Sequence, residues 1–353
     1  IDVVAYGAFV LADHYTKAED DANLALKEDI ITNNVKLALK ADLDSPALVD
    51  PTINGIAQSG YSGFKNLIIN GGFDVWQRGT SFNGQGIYTA DRWSTQGSVA
   101  GTVTRPSDGG LKYVTASGVY LGIQTKLEAN SISGKTFTLS FDFKNNLSTT
   151  NTYIYYEAIK TSNGVALTAQ GNSIFSTTQG VSERVSITFK YADFTEVYGD
   201  MHIRLGIDGS WSSAEAVDFE INNIQLEEGS VATPFEQRPY GLELSLCQRY
   251  LPSIDLSGMG YGYTGLCTSA TGVLVPIRFP VQSRVPSTGM IIIGGTLIPS
   301  TSNGANAGGT LAHTWATTSG ATLYSTTSTG LVLGDASILQ GSATKLLFTG
   351  CEL

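Results

Sequence analysis

The chain has 353 residues, including 40 glycines, and only 15% of its residues are charged. This composition favours a mainly β protein of short strands and turns, and the length suffices for two or three domains. A net charge of −10 without a basic run makes nucleic acid and anionic lipid poor partners, and no apolar stretch of about 18 residues indicates membrane insertion.

The first 65 residues are rich in Ala, Leu, Lys and Asp, which predicts short helices. The segment NLALKEDI at 23–30 is echoed by KLALKADL at 36–43, at close to a two-heptad spacing. A lone helix cannot bury so narrow an apolar face, so we expect parallel copies of the chain to pack as a coiled stalk. A helical hairpin lying on a domain of the same chain is the alternative. Pro46 and Pro51 end this stalk.

Residues 66–240 alternate between apolar and polar with a period of two, which predicts half-buried antiparallel strands. The pattern is clearest in TFTLSFDF at 136–143 and recurs in RVSITFK, MHIRLGI and VDFEI. Asn-Gly and Gly-Gly turn signals separate such runs. We therefore expect a β-sandwich, and specifically a jelly roll.

Residues 241–353 predict a third unit, a small β tip domain. It opens with LELSLCQRYL, whose leucines have helical or mixed spacing, and strands resume in VLVPIRF and GMIII. The last hundred residues are mostly Gly, Ser, Thr and Ala around short apolar islands. Cys247, Cys267 and Cys351 are too scattered for a disulfide framework or a zinc site, so we expect buried thiols.

No hydrolase or transferase motif is present, and the three histidines lie in different regions, so the chain is predicted not to be an enzyme. A glycosidase pair would need two nearby carboxylates, for which Asp74, Asp91, Asp142 and Glu157 are the candidates.

No cofactor is expected to be required, but acidic residues outline a candidate structural calcium site. Asp208, Asp218 and Glu220 lie near the end of the sandwich, and Asp74 closes the carbonyl-rich segment that begins at Asn70. Solvated strand and loop acids are the alternative interpretation.

Aromatic residues outside a core are the candidate sugar contacts, because they stack on the apolar C–H faces of sugar rings. Trp76 and Trp93 lie among apolar residues beside arginines and are predicted to be core, with a cation over the ring. The predicted receptor contacts are Trp211 in a loop and, in the sparse tip, Tyr261, Tyr263, His313, Trp315 and Tyr324.

Several segments resemble those of bacteriophage tail-fibre proteins. NLIINGGFDVWQRGTSF at 66–82 and YTADRWS at 88–94 look like the opening of a fibre sandwich module, and 221–251 looks like its close. The segment 275–289 is similar to the fibres' FPVxxRxxP pattern through Phe279, Pro280, Arg284 and Pro286, although Ser-Arg stands where Met-Arg is usual. The resemblance covers residues 15–289, whereas 290–353 matches nothing.

The resemblance implies a virion protein of the phage tail, an intertwined homotrimer with a central jelly roll similar to carbohydrate-binding modules. Its distal domain would bind a host polysaccharide or lipopolysaccharide, and its N-terminus other tail or baseplate proteins. The alternatives are a fibre that also depolymerises polysaccharide, the binding part of a secreted polysaccharide-degrading enzyme, and a structural shaft without receptor contact.

Overall fold

The computed structural model describes residues 64–116, 121–128, 135–147, 152–162, 165–175, 178–190, 200–207, 216–257, 261–301, 311–326, 330–343 and 345–352, with only the backbone at 121, 152–162, 165–175, 200–207 and 261. It also describes two short paired strands, β1 (Thr52–Ile53) and β2 (Ile56–Ala57). The chain divides into two units, Ile1–Gly60 and Tyr61–Leu353. The predicted helical stalk lies outside the described residues.

The sequence between residues 81 and 228 forms two antiparallel sheets. In chain order the strands are β3 (Ser81–Gly84), β4 (Trp93–Gln96), β5 (Gly101–Thr104), β6 (Leu111–Thr115), β7 (Leu121–Glu128), β8 (Thr136–Asn145), β9 (Thr152–Ser162), β10 (Val165–Phe175), β11 (Ser182–Lys190), β12 (Asp200–Ile207) and β13 (Val217–Glu228). One sheet has the order β11-β8-β13-β6-β5-β3 and the other β10-β9-β12-β7-β4.

The eight strands β6 to β13 have the connectivity of a jelly roll. If they are counted from one to eight, one sheet runs 1-8-3-6 and the other 2-7-4-5, as two Greek keys require. Side chains of both sheets, such as Phe141 and Ile123, enter one hydrophobic core. The predicted antiparallel jelly roll is therefore confirmed, while the boundaries at residues 65 and 240 stay predictions.

Strand β8 shows why this sequence folds as a sheet. Phe137, Leu139, Phe141 and Phe143 are each at most 1% exposed, and the ring of Phe143 stacks on Phe219 with centroids 5.3 Å apart. Such aromatic pairs add about 0.5–1.5 kcal/mol to the stability that burial provides.

The other face of β8 is not simply solvated, although alternation predicted a polar exposed face. Thr138 and Ser140 are also buried. The hydroxyl of Thr138 donates to the carbonyl of Gly229 at 2.8 Å, and Ser140 accepts a hydrogen bond from Arg184 at 2.7 Å. The segment after β13 thus covers part of the sheet, which periodicity alone does not reveal.

The tip begins with helix α1 (Tyr240–Gln248), where the sequence indicated helical or mixed spacing. The strands that follow are β14 (Ser253–Asp255), β15 (Tyr261–Cys267), β16 (Gly272–Arg278), β17 (Gly289–Ile293), β18 (Leu297–Thr301), β19 (Ala312–Thr317), β20 (Gly320–Thr326), β21 (Ala336–Gly341) and β22 (Lys345–Thr349). They form a small sheet, β14-β22-β17, and a six-stranded tip sheet, β18-β21-β15-β16-β20-β19.

The tip has its own hydrophobic core, which includes Val275, Leu323 and Phe348. The predicted buried thiols are confirmed, because all three cysteines are free and buried. The described chain is mainly β, and none of its helices is long and apolar enough to cross a membrane.

Candidate functional site

The tip sheet has a buried face and an outward face, and strand register assigns each residue to one of them. Val273 and Val275 on β16 are fully buried, so Leu274 between them lies on the outward face. Tyr324 is the register partner of Leu274 and is half-buried on that same face. Leu266 on β15 pairs with Leu274 from the other side and is 52% exposed.

A β-bulge in β19 separates two of the predicted receptor contacts. His313 pairs with buried Leu323, but the register then shifts so that Trp315 pairs with outward Thr322. Residues two apart would otherwise share a face, so the bulge turns these side chains to opposite faces. Trp315 is consequently 65% exposed on the outward face.

His313 belongs instead to the inner side of the tip. Its Nε2 lies 2.9 Å from the hydroxyl of buried Ser287, and its ring packs against Phe348 with centroids 6.3 Å apart. Partial burial lowers the pKa of His313. The register therefore places Trp315 and Tyr324 on the same face of the tip sheet and His313 on the other.

The outward face of the tip sheet is almost uncharged. Across the six described strands, Arg278 at the end of β16 is the only Lys, Arg, Asp or Glu. Leu266 and Ile338 expose apolar side chains there, alongside exposed Thr264 and Pro276. An uncharged surface with an exposed indole can stack against sugar rings.

The remaining predicted contacts are less closely associated with this face. Tyr263 is half-buried and packs against the tip core, and burial raises the pKa of its hydroxyl. The backbone of Tyr261 belongs to β15, but its side chain is outside the described residues. Trp211 is outside them altogether.

The candidate calcium ligands lie among cations and amides. Asp218 is 3.3 Å from the ammonium of Lys112, Glu220 is 3.1 Å from Lys144, and the amide of Asn146 donates to both carboxylates. Asp74 accepts a hydrogen bond from Gln237 at 3.3 Å, while Asp208 is outside the described residues. No group of three or more His, Cys, Asp or Glu gathers among the residues that the structure describes. Calcium binding stays a prediction.

The carboxylates considered for glycosidase chemistry have structural partners. Asp91 is 1% exposed and accepts a hydrogen bond from the backbone amide of Gln77 at 2.9 Å. Burial raises the pKa of Asp91 to about 6, although Arg78 opposes the shift. Asp142 is paired with Arg184 at 3.1 Å, and the side chain of Glu157 is outside the described residues.

The segments that resemble tail fibres contribute the residues of a buried polar cluster. The amide nitrogen of Asn70 donates to the carbonyls of Val75 and Asp91, both at 2.9 Å. Arg238 is 3.3 Å from Glu243 of α1 and donates to the carbonyl of Asn66. These residues join the opening and closing segments of the module.

The two tryptophans in these segments are core, as predicted. Trp93 is fully buried, and Trp76 is 8% exposed. The neighbouring arginines stack on tyrosines rather than on these indoles: Arg92 lies 3.5 Å from the ring centroid of Tyr250, and Arg78 stacks on Tyr88. Alternation predicted the burial, but not these ring partners.

Neither a known family model nor a curated protein matches the chain. Among solved structures, it is similar to the CBM22-1 xylan-binding domain of Paenibacillus barcinonensis Xyn10C, with 12% identity over 43% of this chain and 94% of that domain, at a TM-score of 0.31. It is also similar to the C-terminal family 22 carbohydrate binding module of Clostridium thermocellum Xyn10B, with 10% identity over 44% and 97% of the two chains and a TM-score of 0.33. These likenesses are too distant to assign a family.

Proposed function

We propose that this chain is a tail-fibre protein of the bacteriophage type that attaches to a bacterial host by binding a cell-surface glycan, such as lipopolysaccharide. The proposal rests on Trp315, which exposes 65% of its surface on the outward face of the tip sheet, the same face as Tyr324. A large aromatic side chain left in water on an uncharged sheet is typical of a binding surface. The segments that resemble tail fibres support the same function.

Charge favours this face as the contact with bacterial polysaccharide. The whole chain carries a net charge of −10, so its acidic surfaces repel the anionic groups of lipopolysaccharide. The outward face avoids that repulsion, since Arg278 is the only charged residue in its strands. Stacking on Trp315 and hydrogen bonds from neighbouring threonines would hold a sugar without a catalytic group.

The proposed assembly is a homotrimer whose N-terminal part joins other tail or baseplate proteins in the virion. A single aromatic platform gives weak binding, but three equivalent platforms on one fibre convert weak contacts into durable attachment. The jelly roll serves as the rigid body that carries the tip. The proposed role is attachment alone, without cleavage of the glycan and without any required cofactor.

The test compares Trp315→Ala with Tyr240→Ala. Tyr240 is 59% exposed at the start of α1, outside the tip sheet, so it is a matched exposed aromatic residue. Retention of the purified protein on immobilised lipopolysaccharides and capsular polysaccharides from a panel of bacteria is measured by interferometry. Loss of the stacking platform should weaken binding about fivefold or more per site, because stacking on an aromatic ring contributes on the order of 1–3 kcal/mol.

The Tyr240→Ala protein should bind like the wild type. Equal losses in both variants, or unchanged binding by Trp315→Ala, would remove the outward face from the proposal. Binding to no polysaccharide in the panel would favour a structural shaft. Release of new reducing ends from a bound polysaccharide would favour the depolymerase alternative.

A further inference from the structure

The unit from Tyr61 to Leu353 contains two separate hydrophobic cores, one in the jelly roll and one in the tip. Most buried apolar residues of each part belong to its own core, so the contacts that hold the two parts together are a separate feature. The contact that stands out is polar and buried. It joins Arg78 and Arg92, which precede strands β3 and β4, to Glu352, which lies more than 250 positions later in the chain. We count these two strands with the jelly roll, because they extend its sheets.

This contact is a three-arginine socket around Glu352, formed by Arg78, Arg92 and Arg284. The carboxylate of Glu352 lies 2.7 Å from Arg78 and 3.1 Å from Arg92. Arg284, which belongs to the tip, donates to the backbone carbonyl of Glu352 at 2.7 Å and to that of Cys351 at 3.1 Å. Arg284 of the tip therefore holds the backbone of Glu352, while the carboxylate of Glu352 pairs with arginines of the jelly roll.

Burial of Glu352 and its two arginine partners increases the effect of its charge on stability. The side chains of Glu352, Arg78 and Arg92 are 9%, 11% and 2% exposed. In the described structure, Nη1 of Arg78 and Nε of Arg92 are buried without a hydrogen-bond acceptor. Without the carboxylate, the guanidinium groups of Arg78 and Arg92 would stay buried without this ion-pair partner, and Arg78 would keep only the more weakly coupled Asp91. Loss of such a buried partner is far more costly than loss of an exposed pair.

A second set of buried hydrogen bonds crosses between the same two parts. The side chain of Gln77 donates to the carbonyl of Leu251 at 3.1 Å and accepts a hydrogen bond from the hydroxyl of Ser253. Gln248 of α1 donates to Ser253 in turn at 3.1 Å. These hydrogen bonds join uncharged groups, so they position the tip but do not neutralise Arg78 or Arg92.

We propose that Glu352 is the coupling residue that makes the jelly roll and the tip unfold as one cooperative unit. Its carboxylate pairs with Arg78 and Arg92 only while the tip is docked, so removal of its charge leaves both arginines buried without this partner and weakens the contact between the two parts. This inference does not depend on glycan binding. It explains why two parts with separate cores hold a fixed contact.

The test is Glu352→Gln, which keeps the shape of the side chain and removes its charge. Deuterium labelling along a urea series, read by mass spectrometry, follows one peptide across β8 of the jelly roll and one across β16 of the tip. In the wild type the two peptides should lose protection at the same urea concentration. In the variant β16 should exchange about tenfold or more faster than in the wild type, at urea concentrations where β8 stays protected.

Glu128→Gln is the matched control. Glu128 of the jelly roll pairs with Arg249 beyond α1 at 3.2 Å, but both side chains are more than a third exposed. Its loss should leave the two peptides coincident, because an exposed pair contributes little. Coincident loss of protection in Glu352→Gln, an equal separation in Glu128→Gln, or separate transitions in the wild type would each overturn the proposal. If Glu352→Gln does not fold, Glu352→Asp replaces it, because the shorter side chain draws the carboxylate away from the two arginines. In that variant β16 should also exchange faster than in the wild type at urea concentrations where β8 stays protected, and coincident loss of protection would overturn the proposal.

Discussion

At the scale of single residues, Asp91 belongs to the segments that resemble tail fibres and makes the stability of the fold depend on pH. Its carboxylate is buried, and burial raises its pKa to about 6 from an ordinary value of 3.8. The folded state therefore holds this proton more tightly than the unfolded state does. Its contribution to stability is largest below about pH 4 and is lost as the pH rises to about 6, by roughly 3 kcal/mol in total.

Asp91→Asn should remove this pH dependence. We expect the free energy of unfolding of the wild type, minus that of Asp91→Asn, to fall steadily between about pH 4 and pH 6 and to level off above. Urea unfolding of both proteins at half-unit pH steps measures the difference, in which other titrating groups largely cancel. A difference that is constant or rises over this range would contradict the assigned shift.

Residue types alone predicted part of this chemistry. The scatter of the three cysteines predicted buried thiols, and the apolar neighbours of the two tryptophans predicted their place in the core. The role of Asp91 was not predicted, because a sequence does not show that a carboxylate next to an arginine lies in the interior rather than in a catalytic groove. Its hydrogen bonds to Gln77 depend on packing between distant segments.

At the scale of elements, alternation was informative wherever one face of a strand packs on a core. It predicted the apolar face of β8 and the strands around RVSITFK and VDFEI, which became β11 and β13. It could not predict the bulge in β19, because a bulge shifts the alternation by one residue and the segment LAHTWATT has too few apolar residues to show the shift. That bulge decides which of His313 and Trp315 faces outward.

Glycines test the packing of elements directly. A Cβ on Gly71 would lie 2.0 Å from the carbonyl oxygen of Ile224, whereas one on Gly241 in α1 would meet nothing within 4 Å. Gly71→Ala should therefore destabilise the protein by about 1–3 kcal/mol, because the two backbones must move apart. Gly241→Ala should stabilise it by about 0.5 kcal/mol through helix propensity.

Urea midpoints of the two alanine variants, measured by far-UV circular dichroism, show whether each substitution lowers or raises the stability of the protein. The close approach at Gly71 also satisfies a hydrogen bond, since its carbonyl accepts from the amide of Ile224 at 2.9 Å. A Gly71→Ala midpoint equal to that of the wild type would mean that the segments 66–73 and 221–226 are not packed as described.

At the scale of the whole molecule, the sequence predicted the order of parts but not their connection. The jelly roll and a β tip were expected, and the strand order bears out the first. The socket around Glu352 was not foreseen, because it joins positions far apart in the chain that share no local pattern. Long-range polar contacts of this kind depend on the finished packing of both parts.

We propose that the chain works as a multivalent attachment fibre, and its solution mass tests this proposal. The predicted stalk, the tail-fibre resemblance and the proposed weak binding at Trp315 all presuppose several copies in one particle. Light scattering of the purified protein should give the mass of three 37.4 kDa chains, unchanged on dilution. A stable monomer would contradict the proposed fibre and the multivalent attachment that depends on it.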